Sequence, residues 1–237
     1  MLIGPQNLTA QVNRIRSQIS HAAEAAGRDP ASVTLVAVTK AKGAEYVRAG
    51  ATAGVTDFGE NYVKEALGKM DELESLPVRW HFIGALQSNK TRPVAERFAW
   101  VDSLDRLSVA RRLSEQRPFH APPLNVCIQV ALVDEPAKGG VEPAALAELA
   151  HGVAELPRLE LRGLMCLPPP RPDERSRRAL FARLRGYLEE LNSAGLGLDT
   201  LSMGMSADFQ EAIAEGATQV RIGTALFGSR LQETWNT

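Results

Sequence analysis

The chain of 237 residues sets 27 lysines and arginines against 28 aspartates and glutamates, with 44% hydrophobic and 5% aromatic residues. That balance is ordinary for a globular protein and excludes the basic, aromatic-studded face that nucleic-acid binding requires. No run of about 18 apolar residues occurs, and the opening MLIGPQNLTAQVNRIRSQIS lacks the basic start and apolar core of a secretion signal, so a cytoplasmic protein without a membrane span is expected.

Apolar residues recur at Leu8, Val12, Ile15, Ile19, Ala22 and Ala26, the helical period, and Gly27 with Pro30 supplies a stop. Strand-like runs then follow at 33–39, 55–59, 79–84, 100–103, 124–132, 159–167, 200–203 and 219–227. Between them lie predicted helices at 44–51, 62–74, 90–98, 104–116, 143–155, 173–192 and 206–215. Connections of that length allow right-handed crossovers, so the strands should be parallel. Eight strands alternating with helices predict a single α/β domain over 1–237, a (β/α)8 TIM barrel with an extra N-terminal helix. Too few residues follow the last strand for a full helix and anything more, so the first helix is expected to fill the gap in the outer ring. LPPPRPDERSRR, 167–178, reads as a loop leading into a solvated helix.

In such a barrel, functional groups gather where strands end at their carboxyl side. Val36, Val38 and Lys40 share one strand face, which puts an ammonium at the mouth of an apolar interior. Partial desolvation lowers a lysine's pKa and frees its amine to form an imine with a carbonyl; the alternative is a solvated charge that keeps a loop soluble. After strand seven, SMGMSADFQEAIAEG offers Gly204 and Ser206 ahead of a helix, either as a turn and N-cap or as anion contacts. Strand eight, QVRIGTALFG, carries Arg221 and then Gly223 and Thr224, at the place where these barrels recurrently bind phosphate. An imine-forming lysine and a phosphate site on one rim suggest a phosphorylated aldehyde. Further strand ends add Asn61, a ligand contact or a helix cap, and His81, a ligand contact or a core histidine.

Cys127 and Cys166 lie in apolar runs without CxxC spacing and read as reduced core thiols. The four histidines form no i, i+4 pair, so no metal site is expected, and GMSAD lacks the second glycine of a hydrolase elbow.

Taken together, AVTKAK, FGENYVKE, WHFIGALQSNK, RGLMCLPP and LSMGMSADFQEAIAEGATQVRIGTALFG resemble the pyridoxal-phosphate homeostasis protein family, whose barrel is similar to the N-terminal domain of alanine racemase. The resemblance runs from about Val33 to Gly228 and implies pyridoxal 5′-phosphate (PLP) joined as a Schiff base to Lys40. It further implies phosphate contacts from Ser206 and the backbone of Gly223 and Thr224, joined by Ser202 and Met203. It places Arg221 against the pyridine nitrogen, Asn61 beside the ring hydroxyl, and His81 and Met165 at the ring faces. The sequence departs from the family at Ala85 and in the loop ALVDEPAKGG, away from the lysine.

What the resemblance implies is a holder of PLP in vitamin B6 homeostasis, a monomer that buffers the cofactor and hands it to apo-enzymes. The competing expectations are a weak PLP-dependent racemase or decarboxylase and a cofactor-free Schiff-base aldolase. Tyr46, Tyr62 and Tyr187 all precede strand eight, so the second base of a two-base racemase has no candidate beyond it.

Overall fold

The computed structural model describes residues 4–133, 139–167 and 173–228. Helix α1 (Leu8–Ala25) buries Leu8, Val12, Ile15, Ile19 and Ala23 in one stripe. The four-residue step from Ile19 selects Ala23, not the expected Ala22, because 3.6 residues per turn carry the stripe that way. Gly27, at φ 67°, stops the helix, and the Arg28 N–H closes back on the Ala23 carbonyl at 2.9 Å, the left-handed termination that glycine takes without strain.

From there strands and helices alternate. Strand β1 (Thr34–Val38) leads to α2 (Ala44–Thr52), and β2 (Asp57–Glu60) to α3 (Val63–Glu72). Next come β3 (Arg79–Phe82), α4 (Thr91–Arg97), β4 (Trp100–Leu104) and α5 (Leu107–Gln116). They are followed by β5 (Leu124–Gln129), α6 (Pro143–Ala154), β6 (Leu159–Met165) and α7 (Glu174–Ser193). Last are β7 (Thr200–Ser202), α8 (Phe209–Ala214), β8 (Gln219–Ile222) and the single turn α9 (Thr224–Phe227). The strands form a closed, parallel barrel in sequence order, β8 pairing with β1.

Each strand is sided. Ala37, Phe58, Phe82, Ile128, Leu164 and Val220 are buried between the barrel and its helices, in the large apolar cluster that makes the shell. The inward side is polar to an unusual degree: Asp57, His81, Asp102, Ser202, Gln219 and Arg221 are all buried, around a small plug of Trp100, Cys127 and Met165. Because α9 is only one turn long, α1 packs against α2, α8 and α9 and completes the ring, as expected from sequence.

Several boundaries differ from the sequence expectation. Strand eight does not run to 227: Gly223 turns the chain and Ala225 to Phe227 coil, so the apolar run serves a helix whose Leu226 and Phe227 are buried. Strand five ends at Gln129, and Val130 keeps only a bridge to Val141. The Pro-rich stretch 168–172, part of the departing loop at 134–138 and the segment 229–237 lie outside the described residues. Among the described residues no helix is long and apolar enough to cross a membrane, and no group of three or more His, Cys, Asp or Glu is placed to hold a metal ion.

Candidate functional site

The turn that leaves β1 carries Lys40, half-buried, two residues past the buried Val38. The Thr39 N–H still donates to the Gly59 carbonyl at 3.1 Å, so ladder geometry persists to the residue before the lysine. Barrel closure decides what stands beside it. Ala37 pairs with Ile222, which sets Val38 opposite Gly223; a methyl group on Gly223 would lie 3.5 Å from Val38 Cβ and from its carbonyl oxygen. The first strand end and the Gly223–Thr224 turn therefore share one side of the mouth.

The loop after β7 is tied to the same turn. Ser206 does not cap α8 as the sequence suggested; its hydroxyl accepts the Ala225 N–H at 3.1 Å. Asp208 takes the N-terminal position of α8, and its carboxylate accepts the Met205 N–H at 2.7 Å, while burial raises its pKa. Gly204 is required: it holds φ 92°, and a Cβ there would come within 2.6 Å of Ala212 Cβ.

Arg221 is 3% exposed and is fixed from two sides, donating to Ser202 Oγ at 2.8 Å and to the Cys166 carbonyl at 2.7 Å. Burial lowers its pKa from the usual arginine value. Ser202 thus orients the guanidinium. Met203 offers nothing to an anion, since its N–H donates to the Gln219 carbonyl at 3.1 Å and its side chain lies in the outer shell. Met165 is buried inside the barrel in register with Ser202. Both cysteines are free and buried, and burial pushes the Cys166 thiol up to about 12.

Asn61 follows β2, and of its two sequence readings the cap is ruled out: Tyr62 occupies the N-terminal position of α3 with no side-chain cap. Asn61 Oδ1 is buried without a hydrogen-bond partner. Its backbone lies so close to the end of β3 that a Cβ on Gly84 would fall 2.2 Å from its carbonyl oxygen.

His81 is the residue that the structure does not bring to this group. Its Nδ1 meets Asp102 Oδ2 and its Nε2 meets Asp57 Oδ1, each at 3.0 Å, and its ring stacks on Trp100 at 5.2 Å. Asp57 and Trp100 line a cavity of about 420 Å³ at the opposite, amino-terminal opening, together with Arg79, Arg162 and Asp199. Burial pulls the imidazolium pKa down, but Asp102 and Asp57 outweigh it and leave the pKa above the usual histidine value. Both His81 nitrogens are thus committed to Asp102 and Asp57, and its ring stacks on Trp100, the core reading that the sequence also offered.

Sequence reasoning missed a second buried cluster, directly under Lys40. Thr39 Oγ1 donates to Glu60 Oε1 at 2.6 Å, and Lys69 Nζ donates to Glu60 Oε1, Glu65 Oε1 and the Thr39 carbonyl, each at 2.7 Å. The Ala41 N–H donates to Glu65 Oε1 at 2.6 Å. Glu60 Oε2 is buried with no partner, and burial raises the Glu60 pKa against the pull of Lys69. A signal was there to be read: Lys69 lies on the buried stripe of α3 with Ala66 and Met70, and four residues from Glu65.

The arrangement can hold an anion between two tied loops, a cation against a planar ring, and an amine at the lip. Residues 11–231 match the family model described as alanine racemase, N-terminal domain. The pyridoxal phosphate homeostasis protein of Pseudomonas aeruginosa is 57% identical over 223 residues, 94% of this chain and 96% of that protein. The chain belongs to the pyridoxal phosphate homeostasis protein family. The structure of PipY from Synechococcus elongatus PCC7942 with PLP bound superposes with a TM-score of 0.83 at 38% identity, covering 93% of this chain and all of that one. Alanine racemase from Corynebacterium glutamicum, at 18% identity and a TM-score of 0.68, shares the fold; this chain spans 62% of its length.

Proposed function

We propose that this protein binds PLP at the carboxyl-terminal mouth of its barrel through a Schiff base to Lys40 and holds it in reserve in the cytoplasm, without robust turnover of its own. The observation that carries the reading is the β1–β8 closure, which sets the Lys40 strand end beside the Gly223–Thr224 turn. Family membership supports it, and so does the PLP bound by PipY.

The residues present fit the cofactor. Ser206 and the backbone of Gly223 and Thr224 are the phosphate contacts, on two loops already joined by the Ser206 to Ala225 bond. Asn61 Oδ1, buried and unpartnered, suits a donor such as the ring hydroxyl. Met165, packed with Trp100 and Cys127, would lie on the ring's side of the barrel interior, and Ser202 would serve the ring only through Arg221.

When bound, PLP supplies an aldehyde for amines and a ring that accepts electrons. Arg221, a cation that does not give up its proton, would keep the pyridine nitrogen unprotonated and so weaken that electron sink. Holding is favoured over amino-acid chemistry. The single barrel is then the binding unit, PLP its ligand, and delivery to apo-enzymes its use.

The test is reduction of the PLP-loaded protein with borohydride followed by peptide mapping. The reduced label is expected on Lys40; a label on Lys42 or Lys90 instead, or none, would refute the site. Incubation with single amino acids, followed for chirality and carbon dioxide, is expected to show no turnover above free PLP, and robust turnover lost in Lys40→Ala would make the protein an enzyme.

A further inference from the structure

The backbone on either side of Lys40 is held by hydrogen bonds to Glu60, Lys69 and Glu65. Before it, Thr39 is bound at its hydroxyl by Glu60 and at its carbonyl by Lys69. After it, Ala41 is bound at its N–H by Glu65. Lys69 has three N–H donors and three acceptors, all at 2.7 Å, so its hydrogen-bonding capacity is spent on this one turn. It is 5% exposed, and Glu60 is fully buried.

Two features show that the turn is constrained and not merely tolerated. Ala41 holds φ 58°, in the left-handed region that residues with a Cβ rarely adopt and that persists only where surroundings over-determine it. A buried cation between two carboxylates is also a poor way to gain stability, because well-packed apolar residues commonly serve as well or better. What such a cluster does provide is direction, and here its bonds to the backbone end on Thr39 and Ala41.

We propose that Lys69, with Glu60 and Glu65, is the positioning element for Lys40: it fixes the backbone on both sides of the lysine so that the amine meets the aldehyde at the set angle imine formation needs. This rests on the reading of Lys40 as the PLP lysine. Without the clamp, Ala41 relaxes out of the left-handed region and the amine loses its fixed approach. The anion cradle at Ser206, Gly223 and Thr224 stands on other strands and is untouched.

That separation supplies the test. Pyridoxine 5′-phosphate has the same ring and phosphate as PLP but an alcohol for the aldehyde, so it reads the cradle without the lysine. Lys69→Met is expected to bind PLP about tenfold or more weaker, the size of one lost charge-assisted hydrogen bond, while pyridoxine 5′-phosphate binds as it does to wild type. The visible circular dichroism of bound PLP should change with it. Equal weakening for both ligands would mark Lys69 as structural and overturn the inference, as would unchanged affinity for both. Should Lys69→Met not fold, Thr39→Val removes only the hydroxyl contact to Glu60 at nearly the same volume; a smaller but equally selective loss is expected, and no selectivity would again overturn it. Absence of borohydride label on wild-type Lys40 would overturn the functional reading and this inference together.

Discussion

Among the described residues the barrel holds two polar clusters of similar make, one nitrogen-bearing side chain between two carboxylates, toward opposite ends. Near the mouth Lys69 sits between Glu60 and Glu65; toward the amino-terminal opening His81 sits between Asp57 and Asp102. Their remaining bonds distinguish them. The mouth cluster spends its surplus on the backbone around Lys40, whereas the lower cluster closes on side chains, Asp57 also taking Arg79 and Thr56. Similar chemistry thus braces the turn around Lys40 at one end and plugs the barrel at the other.

The largest expected effect breaks the lower cluster. His81→Ala leaves two buried carboxylates without their shared hydrogen-bond partner and should cost about 3 to 5 kcal/mol by urea unfolding, with PLP affinity of the folded protein unchanged. A matching loss of affinity would mean that the two ends are coupled. Lys40→Ala is the mirror experiment: PLP affinity should fall about a hundredfold, or ~2.7 kcal/mol, and the visible band of the bound cofactor should disappear.

A pH series separates the two partners within the lower cluster by sign. The His81 pKa is raised on folding, so its stabilisation is complete below the unfolded value of 6.5 and is lost as pH rises from there through the folded pKa. Asp57 is lowered on folding and acts the opposite way, its contribution fading only as pH falls below about 3.8. Urea unfolding from pH 6 upward should therefore slope down by about 1.4 kcal/mol per pH unit inside the His81 window, and His81→Gln should flatten it. The smallest effect is expected from Ser206→Ala, which frees the Ala225 N–H and should cost about 1 kcal/mol of stability, with PLP binding a few-fold weaker by titration. No change in PLP binding would remove Ser206 from the cradle.

The shell of the barrel was legible because it obeys local rules. Continuous apolar strands such as 33–39 and a clean stripe in α1 state their partners, and Gly27 and Gly223 state where elements end, although the run after Gly223 suits helix and strand alike and was misassigned. Lys40, Arg221 and Gly223 were legible because a charge or a glycine at the end of an apolar strand is locally anomalous. The interior was not. His81 reads the same on a strand whether its nitrogens meet a ligand or two aspartates, and those aspartates stand 24 and 21 residues away. Lys69 looks like a solvated helix residue until α3 is laid under the turn after β1.

Completion of the ring by α1 has a consequence for biogenesis. Its apolar stripe waits for α8 and α9, and Arg28 waits for the Ile213 carbonyl, which it meets at 2.9 Å across 185 positions of chain. During synthesis α1 is made well before α8 and α9, so the burial of its apolar stripe, begun against α2, is completed only once those later elements have emerged. Long-range closure of this kind slows folding and gives chaperones a window in which to act.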